Sequence, residues 1–195
     1  MTNSPTCGQS TPLGPASALD DQAAPGAPSL RDLFVVHAPY VWNTLRRLGI
    51  PASDLEDLTH DVFLQIHCHF GQYDWTRPVR PWLFGFAYRI ASQHRRRAFR
   101  RREAFFEPEL AVHGGALPDD LAAAGEERRL VVAALQAIDL KRRAVFVLHE
   151  LDGVEMSEIA RSLEIPANTA YSRLRTARAE FAAAIKRLQS RRGPP

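Results

Sequence analysis

Cysteine is scarce in this chain. Its 195 residues include two, Cys7 and Cys68, too few for the disulfide framework of a small secreted domain, and a reducing compartment is compatible with that. No apolar run approaches the roughly 18 residues that a membrane span needs. The first residues show neither the basic start nor the apolar segment of a secretory signal, so a cytoplasmic location is expected. Runs that alternate apolar and polar residues are missing as well, which argues against strands. No Gly-rich phosphate loop occurs, and no nucleophile, base and orienting group recur together. Neither enzymatic activity nor a cofactor is therefore expected.

Positive charge is abundant but unevenly placed. The chain carries 25 Lys and Arg against 22 Asp and Glu, a small excess that hides strong local patches. Residues 1–29 are rich in Pro, Gly, Ser and Ala and have no aromatic residue. Such a segment buries too little to offset its ordering entropy and reads as a disordered tail. Residues 30–102 show apolar positions at helical spacing and form the first candidate domain. From Glu103 to Glu127 there is no Lys or Arg at all; residues 103–126 read as an acidic linker. Helical periodicity resumes over residues 127–188, the second candidate domain, and residues 189–195 form a tail. The expected fold is all-α, two helical domains joined by a flexible tether.

In the second domain, Asp139 is placed to cap a helix running from Leu140 to Leu151, and "DG" at Asp152 and Gly153 stops it. A short helix, "MSEIARSL", and a turn at Glu164 to Pro166 lead into "IPANTAYSRLRTAR". Helix, tight turn, helix is the layout of a helix-turn-helix. Pro166 suits the first turn of the second helix. At 100° per residue, Ala170, Leu174, Ala177 and Phe181 share an inward face. Asn168, Ser172 and Arg175 lie opposite, Arg173 and Arg178 flank them, and Thr169 and Tyr171 stand near the start. Central polar groups suit base edges and flanking cations suit phosphates. An amphipathic surface helix with solvated arginines is the plainer alternative.

The first domain contains "PASDLEDLTHDVFLQI". Ser53 and Glu56 have capping-box spacing, and Leu55, Leu58, Val62 and Ile66 share one face. Asp54, Glu56, Asp57 and Asp61 supply an acidic stripe. The first three would stabilise a helix dipole in any protein; Asp61, two turns in, would not. Further on, Arg77, Arg80, Arg89, Arg95, Arg96, Arg97, Arg100, Arg101 and Arg102 interleave with Trp75, Trp82, Phe84, Phe86 and Tyr88, a combination suited to gripping a nucleic-acid backbone and holding unpaired bases. Trp82, Phe86 and Ile90 are expected mostly in the core. The triplet "HCH", His67 to His69, has ligand chemistry, but neighbours on a helix point about 100° apart, so no metal site is expected.

Taken together, "SDLEDLTHDVFLQI", "RPWLFGFAYRIA" and "LQAIDLKRRAVFVLHELDGVEMSEIARSLEIPANTAYSRLRTAR" resemble, in order and spacing, an extracytoplasmic-function (ECF) sigma factor. The resemblance implies a protein that binds core RNA polymerase, directs it to promoter DNA, assists melting and is held when idle by an anti-sigma factor. Carried onto this chain, it puts Asp54, Glu56, Asp57 and Asp61 against the polymerase. It puts Arg77, Arg80, Trp82, Arg89, Gln93, Arg96 and Arg97 at the minus-ten element, and Asn168, Thr169, Tyr171, Ser172, Arg173, Arg175 and Arg178 at the minus-thirty-five element. The chain departs from the family pattern at His60, at "IASQ" (Ile90 to Gln93) and at Tyr171, differences that bear on promoter sequence rather than fold. A stand-alone helix-turn-helix regulator is the alternative function.

Overall fold

The computed structural model describes residues 28–105 and 122–191. Nearly all of the stretch read as a disordered tail, most of the stretch read as a linker, and the last four residues lie outside the described residues. Among the described residues the regular elements are all helical: α1 (Leu30–Leu48), α2 (Leu55–His69), α3 (Val79–Phe105), α4 (Ala122–Gln136), α5 (Leu140–Phe146), α6 (Met156–Ser162) and α7 (Ala167–Ser190). Helices α1, α2 and α3 pack together, and α4, α5 and α6 pack around α7.

Helix starts and stops follow local chemistry, with some shifts from the sequence expectation. The capping box expected at Ser53 and Glu56 does not form. Pro51 is extended, a 3-10 turn occupies Ala52–Asp54, and α2 begins only at Leu55, with no side-chain cap from Asp54. The Ser53 hydroxyl donates to Asp54 Oδ1 instead, at 2.7 Å. A true capping box stands at the head of α1, where Ser29 and Asp32 each hold the other's backbone N–H. Asp139 caps α5 as expected, accepting from the Lys141 N–H at 3.0 Å. The following helix is not uniform: α5 passes at Val147–Leu151 into a π-helical turn, which Gly153 ends at φ 67°. Pro166 precedes α7 as its N-cap, one position earlier than first-turn placement.

The two modules do more than share a tether. Their buried residues form one continuous apolar cluster, from Leu45, Leu83 and Phe84 in the first to Val145, Ile159 and Leu174 in the second. Two glycines permit the approach. A Cβ at Gly85 would stand 2.8 Å from the Ser162 carbonyl oxygen, so only glycine lets α3 meet the end of α6. A Cβ at Gly49, whose φ of 96° already favours glycine, would stand 2.5 Å from the Arg143 guanidinium.

Candidate nucleic-acid interface

Helix α7 divides as its spacing predicts. Ala170, Leu174 and Ala177 are buried, and Phe181 packs on Phe146 at 4.8 Å between ring centres. Asn168, Tyr171, Ser172 and Arg175 are exposed on the other side, while Thr169 and Arg173 are half-buried. Arg178 is also exposed but holds Glu150 at 2.6 Å. The turn before α7 relies on Glu164, whose left-handed φ of 54° lets the Ile165 N–H return to the Ala160 carbonyl at 2.9 Å. Small buried residues bring α7 close to its neighbours, which leaves a polar ridge standing outward.

On α3 and the segment before it, the candidate residues fall into two sets. Gln93, Arg96 and Arg97 are exposed and form no ion pair with a described residue. The other set is engaged. Arg77 donates to Glu158 at 2.6 Å, and Arg89 donates to Glu164 at 3.0 Å while lying 4.5 Å over the Phe86 ring. Both carboxylates come from the helix-turn-helix. Arg80 lies 5.4 Å over Tyr40. Trp82 is half-buried, stacked on Tyr73 at 4.2 Å and edge-on to Phe86, so it joins an aromatic cluster rather than standing free. Phe86 and Ile90 are buried as expected.

The acidic stripe on α2 also divides. Glu56, Asp57 and Asp61 are exposed. Asp54 turns toward α3 and meets His94 Nε2 at 2.8 Å. Its carboxyl is held below the usual range by the Ser53 hydroxyl first, and then by His94. Three of the four acids are therefore exposed on α2, and the fourth is committed to a contact with α3. The "HCH" residues point apart: His69 Nδ1 sits 2.9 Å from the Gln65 carbonyl and its ring packs on Phe86. Among the described residues no cluster of His, Cys, Asp or Glu could hold a metal ion.

Sequence reasoning missed the residues that join the modules. Arg143, 5% exposed, sends its guanidinium to the Leu48 carbonyl at the end of α1, and to Gln136 and Ile138 at the end of α4. Asp152 accepts from the Tyr40 hydroxyl at 2.7 Å and from Arg47 at 3.1 Å. Burial, and then the Asp152 charge, raise the Tyr40 phenol well above its ordinary range. Nothing local marks these positions as a joint, since the partners across it, Leu48 for Arg143 and Tyr40 and Arg47 for Asp152, lie 95, 112 and 105 residues away.

The profile for sigma-70 region 2 matches residues 33–104, which carry α1 to α3, and that for sigma-70 region 4 matches residues 128–181, which carry the helix-turn-helix. The chain belongs to the sigma-70 family. It is an RNA polymerase sigma factor of the ECF group, the class that directs promoter-specific initiation. Sigma factors in general act by binding rather than by catalysis. The chain is 31% identical to the ECF sigma factor SigL of Mycobacterium tuberculosis over 155 residues, covering 78% of this chain and 86% of SigL. It is 27% identical to the sigma factor NccH of Alcaligenes xylosoxydans xylosoxydans over 187 residues, 91% of this chain and 95% of NccH. Among solved structures, CnrH in complex with the cytosolic domain of CnrY matches with a TM-score of 0.57 at 25% identity, over 80% of this chain and 87% of that one. The sigma factor RpoE of Bartonella quintana, in complex with the anti-sigma factor NepR, shares the fold at a TM-score of 0.63 and 18% identity, over 80% of this chain and 96% of that one. Among the described residues, no helix is long and apolar enough to cross a membrane.

Proposed function

We propose that this sigma factor binds core RNA polymerase through Glu56, Asp57 and Asp61, with Asp54 joining only if it leaves His94. Arg77, Arg80, Arg89, Gln93, Arg96 and Arg97 hold the minus-ten element, with Trp82 supporting the aromatic surface against which its bases rest. Asn168, Thr169, Tyr171, Ser172, Arg173, Arg175 and Arg178 meet the minus-thirty-five element in the major groove. The observation that carries this reading is α7, whose Asn168, Tyr171, Ser172 and Arg175 are exposed while its small-residue face is buried. The protein works in the cytoplasm, without catalysis of its own, and an anti-sigma factor is its regulatory partner, by likeness to sigma factors solved with such partners.

In the closed packing, Glu158 and Glu164 occupy two of the arginines assigned to the minus-ten strand, Arg77 and Arg89. That packing opens before the strand is held. Reconstitution tests the reading: the purified chain added to core polymerase should bind it and give run-off transcripts from cognate promoters. Failure to bind core while still binding DNA would leave the stand-alone regulator.

A further inference from the structure

A cleft of about 1100 Å³ separates the C-terminal half of α3 from the start of α5. Arg89, Arg95, Arg96, Arg97 and Arg100 line one side and Lys141 the other. The acid among the lining residues, Asp139, has a carboxylate oxygen already taken by the Lys141 backbone N–H. Among the described residues, Arg95, Arg96, Arg97, Arg100 and Lys141 form no ion pair. Their field reaches inward: after burial, the charge of Arg95 is the next cause that lowers the Arg143 guanidinium. Phe99 stands 62% exposed among these cations, beside half-buried Tyr88. In the same wall the Ser92 hydroxyl is buried and has no hydrogen-bond partner.

We propose that this cleft binds a nucleoside polyphosphate, the phosphates against the arginines and Lys141 and the base against Phe99. Its volume lies just above the roughly 300 to 1,000 Å³ of usual small-molecule sites, so such a ligand has room in it. Guanidinium groups that pair with no described carboxylate, those of Arg95, Arg96, Arg97 and Arg100, match a phosphate chain, and an exposed aromatic face stacks a base whatever its identity. The closed packing disfavours a continuous DNA strand here. Arg77, further along the strand's path, and Arg89, within the cleft's own lining, are held by Glu158 and Glu164, and one wall of the cleft belongs to the second domain. A strand needs that wall withdrawn, whereas a compact ligand needs it in place. The ligand therefore favours the closed form, since binding to one state shifts the population toward it. The consequence for promoter binding rests on the minus-ten reading above; the site itself does not.

The test titrates the full chain with ATP, GTP and inorganic tripolyphosphate at physiological salt, by calorimetry. Both nucleotides should bind, more tightly than tripolyphosphate by roughly tenfold, the share that stacking of one base supplies. Lys141→Glu should weaken nucleotide binding by roughly fivefold, a charge reversal at a partly solvated pair. An acid in the first turn of α5 suits the helix dipole, so the variant should fold. Arg187→Glu, the same charge change on exposed α7 surface outside the cleft, should leave binding unchanged. Equal losses in the two variants, or equal affinity for nucleotide and tripolyphosphate, would overturn the proposal. In competition, ATP should displace an unpaired minus-ten oligonucleotide from the parent at concentrations that leave it on Lys141→Glu. If that oligonucleotide never binds, the minus-ten assignment fails while the calorimetry still decides the cleft.

Discussion

Replacing Arg143 by Met tests the joint between the domains. The methionine keeps most of the stem's volume and removes the guanidinium, which donates to Leu48 at 2.7 Å, to Gln136 at 2.9 Å and to Ile138 at 2.9 and 3.3 Å. At about 1.5 kcal/mol each, the low end for bonds from a charged donor, these four contribute roughly 6 kcal/mol. Burial offsets part of this. It pulls the guanidinium from 12.5 down to about 10, which corresponds to a penalty of about 3 kcal/mol on the charged form. The net loss is then about 3 kcal/mol, in the range of substitutions that break a buried hydrogen-bond network. For a chain of this size that lowers the melting temperature by roughly 6 to 12 °C. The bond to Leu48 crosses between domains and the others do not. Losing it should therefore raise the open fraction about tenfold, the equivalent of one bond near 1.4 kcal/mol. Thermal unfolding by circular dichroism reads the first quantity, and energy transfer between a dye on each domain reads the second. A melting temperature within a degree or two of the parent would refute the reasoning, because it would mean that water replaces the guanidinium at no cost.

Changing Glu158 and Glu164 to Gln releases Arg77 and Arg89, and fluorescence anisotropy should show the free protein binding an unpaired minus-ten oligonucleotide about three- to tenfold more tightly; unchanged affinity would mean that closure does not compete with DNA. Arg175→Ala should cost about 1 to 3 kcal/mol at one upstream base pair, whereas an equal loss on random DNA would move that residue to a phosphate. Asp57→Lys with Asp61→Lys should weaken core-polymerase binding and leave the circular dichroism spectrum intact, and undiminished binding would remove the role given to that stripe. Because the closed form raises the Tyr40 phenol, it keeps a proton that the open form releases near pH 10; this stabilisation is complete below pH 10 and fades as pH rises beyond it. Arg143 acts in the opposite sense but is common to both proteins, so the difference in open fraction between the parent and Tyr40→Phe, followed from pH 8 to 11, isolates the phenol. A difference that stays constant over that range would contradict the assignment.

Local periodicity carried the outline a long way. The inward face of α7 at Ala170, Leu174 and Ala177, that of α2 at Leu55, Val62 and Ile66, and the Asp139 cap all depend on neighbours within one or two turns. Where spacing misled, a nearby backbone preference overrode it: extended Pro51 and the 3-10 turn after it moved the start of α2 past Ser53 and dissolved the expected capping box. Asp54 illustrates a different limit. Its place in the acidic stripe was legible, but its attachment to His94, 40 residues away, was not. Arg143 sits in "LKRRAVF" beside another arginine, and only the folded contact separates them: Arg142 holds Glu180 while Arg143 is buried beneath α1. Glu158 and Glu164 likewise read as ordinary acids of a helix-turn-helix until α3 is brought against them.

The chemistry of the joint suits a protein that has to open. Partly solvated ion pairs such as Arg77–Glu158 and Arg89–Glu164 contribute roughly 0 to 1 kcal/mol each, so they set orientation without locking it. A phosphate presents to the same guanidinium groups the anionic oxygens that Glu158 and Glu164 present in the closed form, and its binding also releases counterions from the DNA. On the minus-ten reading proposed above, a strand replaces each of these carboxylates with an acceptor of at least equal strength. Arg143 behaves differently because its guanidinium is buried. Its bonds to Gln136 and Ile138 lie within the second domain, and only the one to Leu48 crosses to the first. One residue therefore registers the closed form at the cost of a single hydrogen bond on opening, which is why Gly49, whose missing Cβ leaves room for that guanidinium, belongs to the joint as much as the charged groups do.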